Sequence, residues 1–311
     1  MSTIAIVSIV RSIDQMRKYD IAMETVKCYS KIHGYHYILA EEKHFDCHHN
    51  DRFFRRHCIV ARILPHFSAL LFLDADMGVV YPKRKIEEFL DENFDVTFYD
   101  RFYNWEIMAG TYLVRNTPYA IKFLNDFADY ESTLPNSFHG TDNGALHFFL
   151  AERFLSADRI SIDLCRRVYE KSRNWQDVFT YEACLRSIFG SRHELGRVRI
   201  LGKIEGWARD SWLTNNVWNK EIGDFMFHSW KNSQIRKLTS RPRIKKSSMY
   251  EWVNPLAGGI DLDFCNSKNM TWSYDERLIG DEFELREHLQ QMQAKIVKEQ
   301  FISLSRIRKF I

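Results

Sequence analysis

Two carboxylates in the run Asp74-Ala75-Asp76 follow directly on the apolar stretch 69–73 (ALLFL). Alternate residues of an extended chain point to one side, so both carboxylates can converge on a single divalent cation. A hard metal held there would neutralise a bound phosphate. Two charges abutting a buried-type strand are costly unless something pairs them, which favours a ligand set over a solvated turn. Far downstream, Phe227-His228-Ser229-Trp230-Lys231 closes a second short apolar run. A neutral imidazole ligates divalents such as Mn²⁺, and a nearby ammonium stabilises a diphosphate leaving group as its charge develops. Asp74, Asp76 and His228 are therefore the expected metal set, with Ala75 and Lys231 beside the nucleotide. The bland alternative for His228 is a ring packed among aromatics.

Three further groups bear on the same chemistry. Ala109-Gly110-Thr111 opens a strand, and Gly110 permits close backbone approach by a ligand or marks an ordinary bulge. Asp142 and Asn143 lie in a glycine-flanked turn, HGTDNG, before a helical segment. They are suited to hydrogen-bond a hydroxyl-rich substrate, unless Thr141 or Asp142 merely caps the helix. Arg55 and Arg62 share a face of the helix before the acids, and Arg56 sits about a quarter-turn away. Any of the three could reach phosphate, and Arg62 is assigned to the nucleotide. A surface ion pair is the alternative for each.

These residues need a scaffold, and the hydrophobic pattern supplies one. Residues 4–10 form a β-branched run, a helical spacing follows to Gly34, and 35–39 reads as a second strand. A chain that opens βαβ favours a mostly parallel, Rossmann-like sheet flanked by helices, an α/β fold. The turn after the first strand has no G-x-G-x-x-G, which disfavours a conventional dinucleotide site. A helix over 53–64, broken at Pro65, leads into the strand that ends at Asp74. Open α/β sheets bind ligands at the carboxyl ends of their strands, so the position of these two acids matters as well as their spacing. Later elements are expected as a helix near 83–91, strands at 96–99 and 111–114, and helices near 118–130 and 142–156. Beyond 197–201 the pattern becomes aromatic-rich and irregular. A basic stretch at 236–246 and an amphipathic basic helix at about 281–309 follow. The expected division is a catalytic unit over 1–235 and a helical C-terminal extension over 236–311 packed on it.

Composition agrees with a folded chain of 311 residues, 45% hydrophobic and 27% charged, with 13 Gly and 6 Pro. A net charge of +3 argues against a dedicated nucleic-acid binder. No apolar run approaches the length of a membrane span, and neither a signal peptide nor an anchor is visible. The basic stretch 236–246 reads as a solvated loop or as a peripheral contact with an acidic membrane surface. Six dispersed cysteines without a CxxC pair argue against a zinc ribbon and leave their pairing open. A sequon at 269–271 would be modified only in a secretory lumen.

Together these residues resemble a GT-A glycosyltransferase over about 4–235. The segments EIMAGTYLVRNT (106–117) and SFHGTDNGA (137–145) are similar to a nematode-rich glycosyltransferase-like family related to retaining galactosyl- and xylosyltransferases. The resemblance implies a nucleotide-sugar donor, UDP-linked, whose diphosphate is bridged by Mn²⁺ on Asp74, Asp76 and His228. It also implies a glycan, glycoprotein or glycolipid acceptor and a Golgi setting. By the same resemblance Ser8 to Arg11 would cradle the base, Asp142 and Asn143 would meet the donor sugar, and Gly110 would line the acceptor side. The reaction would break the anomeric bond through an oxocarbenium-like state, after which an acceptor hydroxyl attacks. An inverting course would need a carboxylate base, for which Glu106 and Asp142 are the candidates; the family analogy favours retention. Two rivals are a haloacid-dehalogenase-type phosphohydrolase with Asp74 as nucleophile, and a non-catalytic glycan- or nucleotide-binding protein of the same fold. Gly78 speaks against the first and the intact acid and histidine set against the second.

Overall fold

The apolar run at the N-terminus is strand β1 (Ile4–Val10), and α1 (Asp20–His33) and β2 (His36–Glu41) complete the opening βαβ unit. The computed structural model describes residues 3–155, 158–245, 248–266, 268 and 272–310. The sequon and Lys246 lie outside them. Helix α1 stops where Gly34 takes φ +73°, a left-handed conformation that glycine adopts without a Cβ penalty. Helix α2 (Arg52–Ile63) begins at Asp51, whose side chain accepts from the Phe53 amide, and β3 (Ala69–Leu73) follows after Pro65. Then come β4 (Gly78–Val79), β5 (Val96–Tyr99), β6 (Thr111–Arg115), α3 (Pro118–Asp129) and α4 (Thr141–Phe154). The expected helix near 83–91 is only a 3-10 turn, Ile86–Phe89. Helices α5 (Arg159–Glu170) and α6 (Trp175–Phe189) precede β7 (Glu194–Leu195) and β8 (Val198–Leu201).

The main sheet has the order β2-β1-β3-β6-β5-β8-β7. Five strands run one way, and β6 and β7 are reversed. The sheet is buried on both faces, which is why its strands read as unbroken apolar runs. Ala5, Val7, Leu70 and Phe72 face a core with α2, α3 and α4. Their alternates Ile4, Ile6, Leu71 and Leu73 face α1 and a second, smaller sheet. The smaller sheet, order β4-β10-β9, uses β9 (Ala208–Asp210) and β10 (Met226–His228) from the stretch whose pattern looked irregular.

The C-terminal residues wrap this frame. Trp252 stacks on Trp230 with ring centroids 5.0 Å apart, and α7 (Glu282–Ser305) buries Leu285, Leu289 and Ile296 in a cluster with Ala183 of α6. All six cysteines pair, as Cys28–Cys265, Cys47–Cys58 and Cys165–Cys184. The first joins residues 237 apart and the third residues 19 apart. Chain-entropy arguments give a crosslink over so long a loop about 5 kcal/mol, and measured values fall nearer about 2–4 kcal/mol. Replacing Cys28 and Cys265 by Ser is therefore expected to lower the unfolding free energy by about 2–5 kcal/mol in a denaturant titration. Replacing Cys165 and Cys184 should cost less. Equal losses from the two pairs would contradict the loop-length argument.

Candidate active site

Strands β1 and β3 run parallel with Val7 opposite Phe72, so both end on one edge of the sheet. The chain leaves them there as Arg11-Ser12 and as Asp74-Ala75-Asp76. A cleft of about 320 Å³ opens at this edge, lined among others by Arg11, Arg52, Arg56, Asp74, Ala75, Asp76, His228 and Lys231. Strand β10 reaches it through the small sheet. Phe227 pairs with Gly78 across an antiparallel ladder, so His228 emerges beside the residues that precede β4. The Trp230 amide donates to the Asp76 carbonyl at 2.9 Å and fixes the approach. A Cβ at Gly78 would lie 2.3 Å from the Trp230 ring, so only glycine lets the two segments close up.

One ligand atom from each of Asp74, Asp76 and His228 lies within 4.8 Å of the other two, and this is the sole such group among the described residues. His228 Nε2 is 3.3 Å from Asp76 Oδ1, and its Nδ1 is 2.9 Å from Asp210 Oδ1. Asp210 stands beside His228 because β9 and β10 run parallel in register. Arg101 donates to both oxygens of Asp210, at 3.1 and 3.3 Å, and holds that carboxylate in place. A carboxylate on the far ring nitrogen sets tautomer and orientation, leaving Nε2 to face the cluster.

The charges are poised for a cation. Burial works against ionised Asp76, but His228 and Lys231, whose Nζ is 3.4 Å away, outweigh it and hold the carboxyl well below its usual range. Burial also opposes a charged His228, yet Asp76 and Asp210 raise its pKa to about 9. Asp74 is pushed up, by burial first and with Asp76 adding, against the pull of Arg56. A divalent ion between the acids would relieve that repulsion. Two oxygens and an imidazole nitrogen suit Mn²⁺ or a similar divalent.

Arg56 ties this cluster to the turn at 138–144. Its Nη1 donates to Asp74 Oδ1 at 2.7 Å, its Nε donates to Asp142 Oδ2 at 3.0 Å, and its Nη2 also reaches Asp142. His57 Nε2 lies 3.1 Å from the same Asp142 oxygen and Nδ1 lies 2.9 Å from the Tyr112 hydroxyl. Asp142 is wholly buried. Burial would raise its pKa, but Arg56 and His57 outweigh that and lower it, while burial drives His57 down to about 4. Asp142 is thus a locked, ionised anchor for Arg56, and the capping alternative falls away: the N-cap of α4 is Gly140. Thr141 takes φ +55°, a costly conformation for a β-branched residue, next to this anchor.

The other expected residues fall as follows. Gly110 lies against the acids: the Asp74 amide donates to its carbonyl at 3.0 Å, and a Cβ would meet Asp74 Oδ2 at 2.2 Å. Asn143 Oδ1 accepts from the Ala109 amide at 3.1 Å, tying its turn to the strand entry. Glu106 is buried and bound by Asn104 Nδ2 at 2.6 Å, with Arg101 Nη1 3.5 Å away, and it does not line the cleft. Ser8 is buried within β1, so the lining is 9–12 and not Ser8 itself. Arg62 lies two turns down α2 from the cleft, in a separate depression with His49 and Asp129. Arg55 pairs with Glu42 at 3.0 Å. Among the three arginines the cleft takes Arg56. Asp210 escaped the sequence reading because β9 is three residues long, too short for a periodicity to show, and Arg101 because it lies in the irregular stretch just past β5. The signal for Arg56 was an arginine and a histidine side by side on the apolar face of α2, which demands a buried acid.

A family described only as a protein of unknown function, DUF273, matches residues 26–245. No curated protein matches the chain. Similar solved structures include a glycosyltransferase involved in the glycosylation of the major capsid of PBCV-1, at 22% identity and a TM-score of 0.34 over 43% of this chain and 69% of that one. Another is the glycosyltransferase GlyE of Streptococcus pneumoniae TIGR4, at 14% identity and a TM-score of 0.33 over 47% of this chain and 43% of GlyE. The chain therefore spans less than half the length of GlyE.

Proposed function

The chain belongs to DUF273, a family of unknown function, and from its site we propose that it is a metal-dependent glycosyltransferase of the GT-A type. It would move a hexose or pentose from a UDP-sugar to a hydroxyl of a glycan acceptor. The observation that carries this reading is the Asp74, Asp76 and His228 cluster at the carboxyl edge of the sheet, beside the cations Arg11, Arg52, Arg56 and Lys231. A divalent ion and a ring of cations are what a diphosphate needs.

Asp74, Asp76 and His228 Nε2 would hold Mn²⁺, which when bound would offset the charge of the departing diphosphate. Lys231 and Arg56 supply the remaining positive charge, and Arg56 is pre-oriented by Asp142. Lys231 keeps its ammonium near the leaving group while it pairs with Asp76. The two acids able to act as a base, Glu106 and Asp142, are both buried and ion-paired. That supports retention of configuration, for which no carboxylate base is required. Three disulfides support an oxidising compartment such as the secretory lumen. Among the described residues no helix is long and apolar enough to cross a membrane.

Calorimetric titration with Mn²⁺ and UDP, ADP, GDP or CDP tests the reading. UDP should bind in the presence of Mn²⁺ and weakly or not at all without it. Because His228 carries a proton up to about pH 9 in the metal-free protein, the ion must displace it. Binding at pH 7 is expected to release close to one proton, and affinity should rise about tenfold per pH unit until it levels near the pKa. Metal-independent binding of every nucleotide, or none at all, would sink the proposal.

A further inference from the structure

We infer that the ring pair Phe138–Trp175 is the platform on which an acceptor pyranose rests by its C–H face, an inference that builds on the transferase reading. Phe138 is 38% exposed and Trp175 45%, with ring centroids 5.3 Å apart at 82°. Large aromatic surface left in water is unfavourable and marks a contact surface when the fold does not require it. Helix α6 is capped by Asn174, whose side chain accepts from the Asp177 amide, so the first helical position needs no indole.

The platform is stiff behind and open in front. Gly140 packs so closely that a Cβ there would touch Trp175 and Val178 at 3.1 Å. Trp175 leans on Phe179 at 6.0 Å, and Phe179 leans on Trp105 at 6.1 Å. Trp105 is buried, and its Nε1 donates to the Phe179 carbonyl at 2.8 Å. A ring held this way loses little freedom when it binds.

Its connections point to the acceptor. Phe138 is four residues from Asp142, the anchor of Arg56 in the donor cleft. Trp105 opens the segment that ends at Gly110 against Asp74. The bond from the Ala109 amide to Asn143 ties the two segments together. A pyranose has an apolar face of axial C–H groups and a rim of hydroxyls. Aromatic faces carry negative charge density that attracts polarised C–H groups, and Arg173 and Gln176, both exposed beside Trp175, offer donors for the rim. The nucleotide has its own place between Arg11 and Lys231, so a sugar is the occupant that this aromatic surface fits.

Saturation-transfer NMR with methyl β-galactoside, methyl α-mannoside, methyl β-xyloside, lactose and cellobiose tests this, with the protein saturated with Mn²⁺ and UDP. At least one sugar should receive saturation mainly on its axial ring protons. Trp175→Ala should weaken its binding at least tenfold, and Trp175→Phe should retain most of it. Thermal melting and UDP titration of both variants would show that they are folded. Should Mn²⁺ and UDP bind while no sugar receives saturation, or should binding survive Trp175→Ala, the platform is refuted and the donor reading stands. Should UDP fail to bind the wild type, it is the donor reading that falls. A sedimenting dimer that dissociates on Trp175→Ala would assign the ring pair to a second copy and equally overturn the inference.

Discussion

Asp76→Ala should abolish Mn²⁺-dependent UDP binding and lower any sugar transfer by about 10³-fold, the scale on which single transition-state charge contacts act. Asp76 is the best-connected acid in the cleft. It would ligate the ion, it faces His228 Nε2 at 3.3 Å, and it holds Lys231 at 3.4 Å. Removing it deletes one ligand and frees the ammonium that should sit on the diphosphate. His228 would still be paired with Asp210 at 2.9 Å, so the fold should survive with little loss. Titration calorimetry and circular dichroism on one sample separate the two effects. A variant that binds UDP with Mn²⁺ as the wild type does would remove Asp76 from the metal set.

Arg56→Met should be the most damaging substitution for stability, costing about 3–5 kcal/mol, because breaking a buried pair leaves an uncompensated buried charge. The charge is Asp142, with no exposed side-chain surface and only the neutral donors His57 and the Thr141 hydroxyl left beside it. The pH dependence has a defined sign. In the wild type Asp142 titrates below its ordinary 3.8, so its contribution is present at neutral pH and is lost only as pH falls through that depressed value. The gap between wild type and variant should therefore be full at pH 7 and narrow in acid. Adding Asp142→Leu should restore much of the stability without restoring UDP binding, since an apolar pair can replace a buried ion pair. Denaturant titrations of the wild type and both variants measure this. A single variant within about 1 kcal/mol of the wild type would contradict the network.

Much of the fold is legible from apolar runs alone. Residues 69–73 behave as a strand buried on both faces, and their apolar run by itself places the two acids after it at a carboxyl edge. Helix α5 has a readable stripe at Ile162, Cys165, Val168 and Tyr169, but Ile160, 90% exposed, blurs it. The short strands β9 and β10 were not legible. Strand β10 pairs with β4 across more than a hundred residues and β9 pairs with β10 in turn, and no local pattern encodes that. For the same reason Asp142 could not be named from sequence as the partner of Arg56, nor Asp210 as that of the second nitrogen of His228. Proximity between Arg56 and Asp142, or between His228 and Asp210, is set by register, while the sequence shows only that buried charges need partners somewhere. Arg62 illustrates the opposite error: helical spacing gave it a face but not the direction of the cleft.

The stack of Trp252 on Trp230 ties the proposed metal set to the order in which the chain is made. Trp230 carries the amide that fixes Asp76, and its outer face is covered only when residue 252 has arrived. The Cys28–Cys265 bond can close later still. During synthesis the N-terminal sheet can form early, but the Asp74, Asp76 and His228 cluster lacks its outer support until the last quarter of the chain has folded back on it. On the proposed reading, a truncated chain that ends near residue 235 would carry every expected ligand and still bind nucleotide poorly.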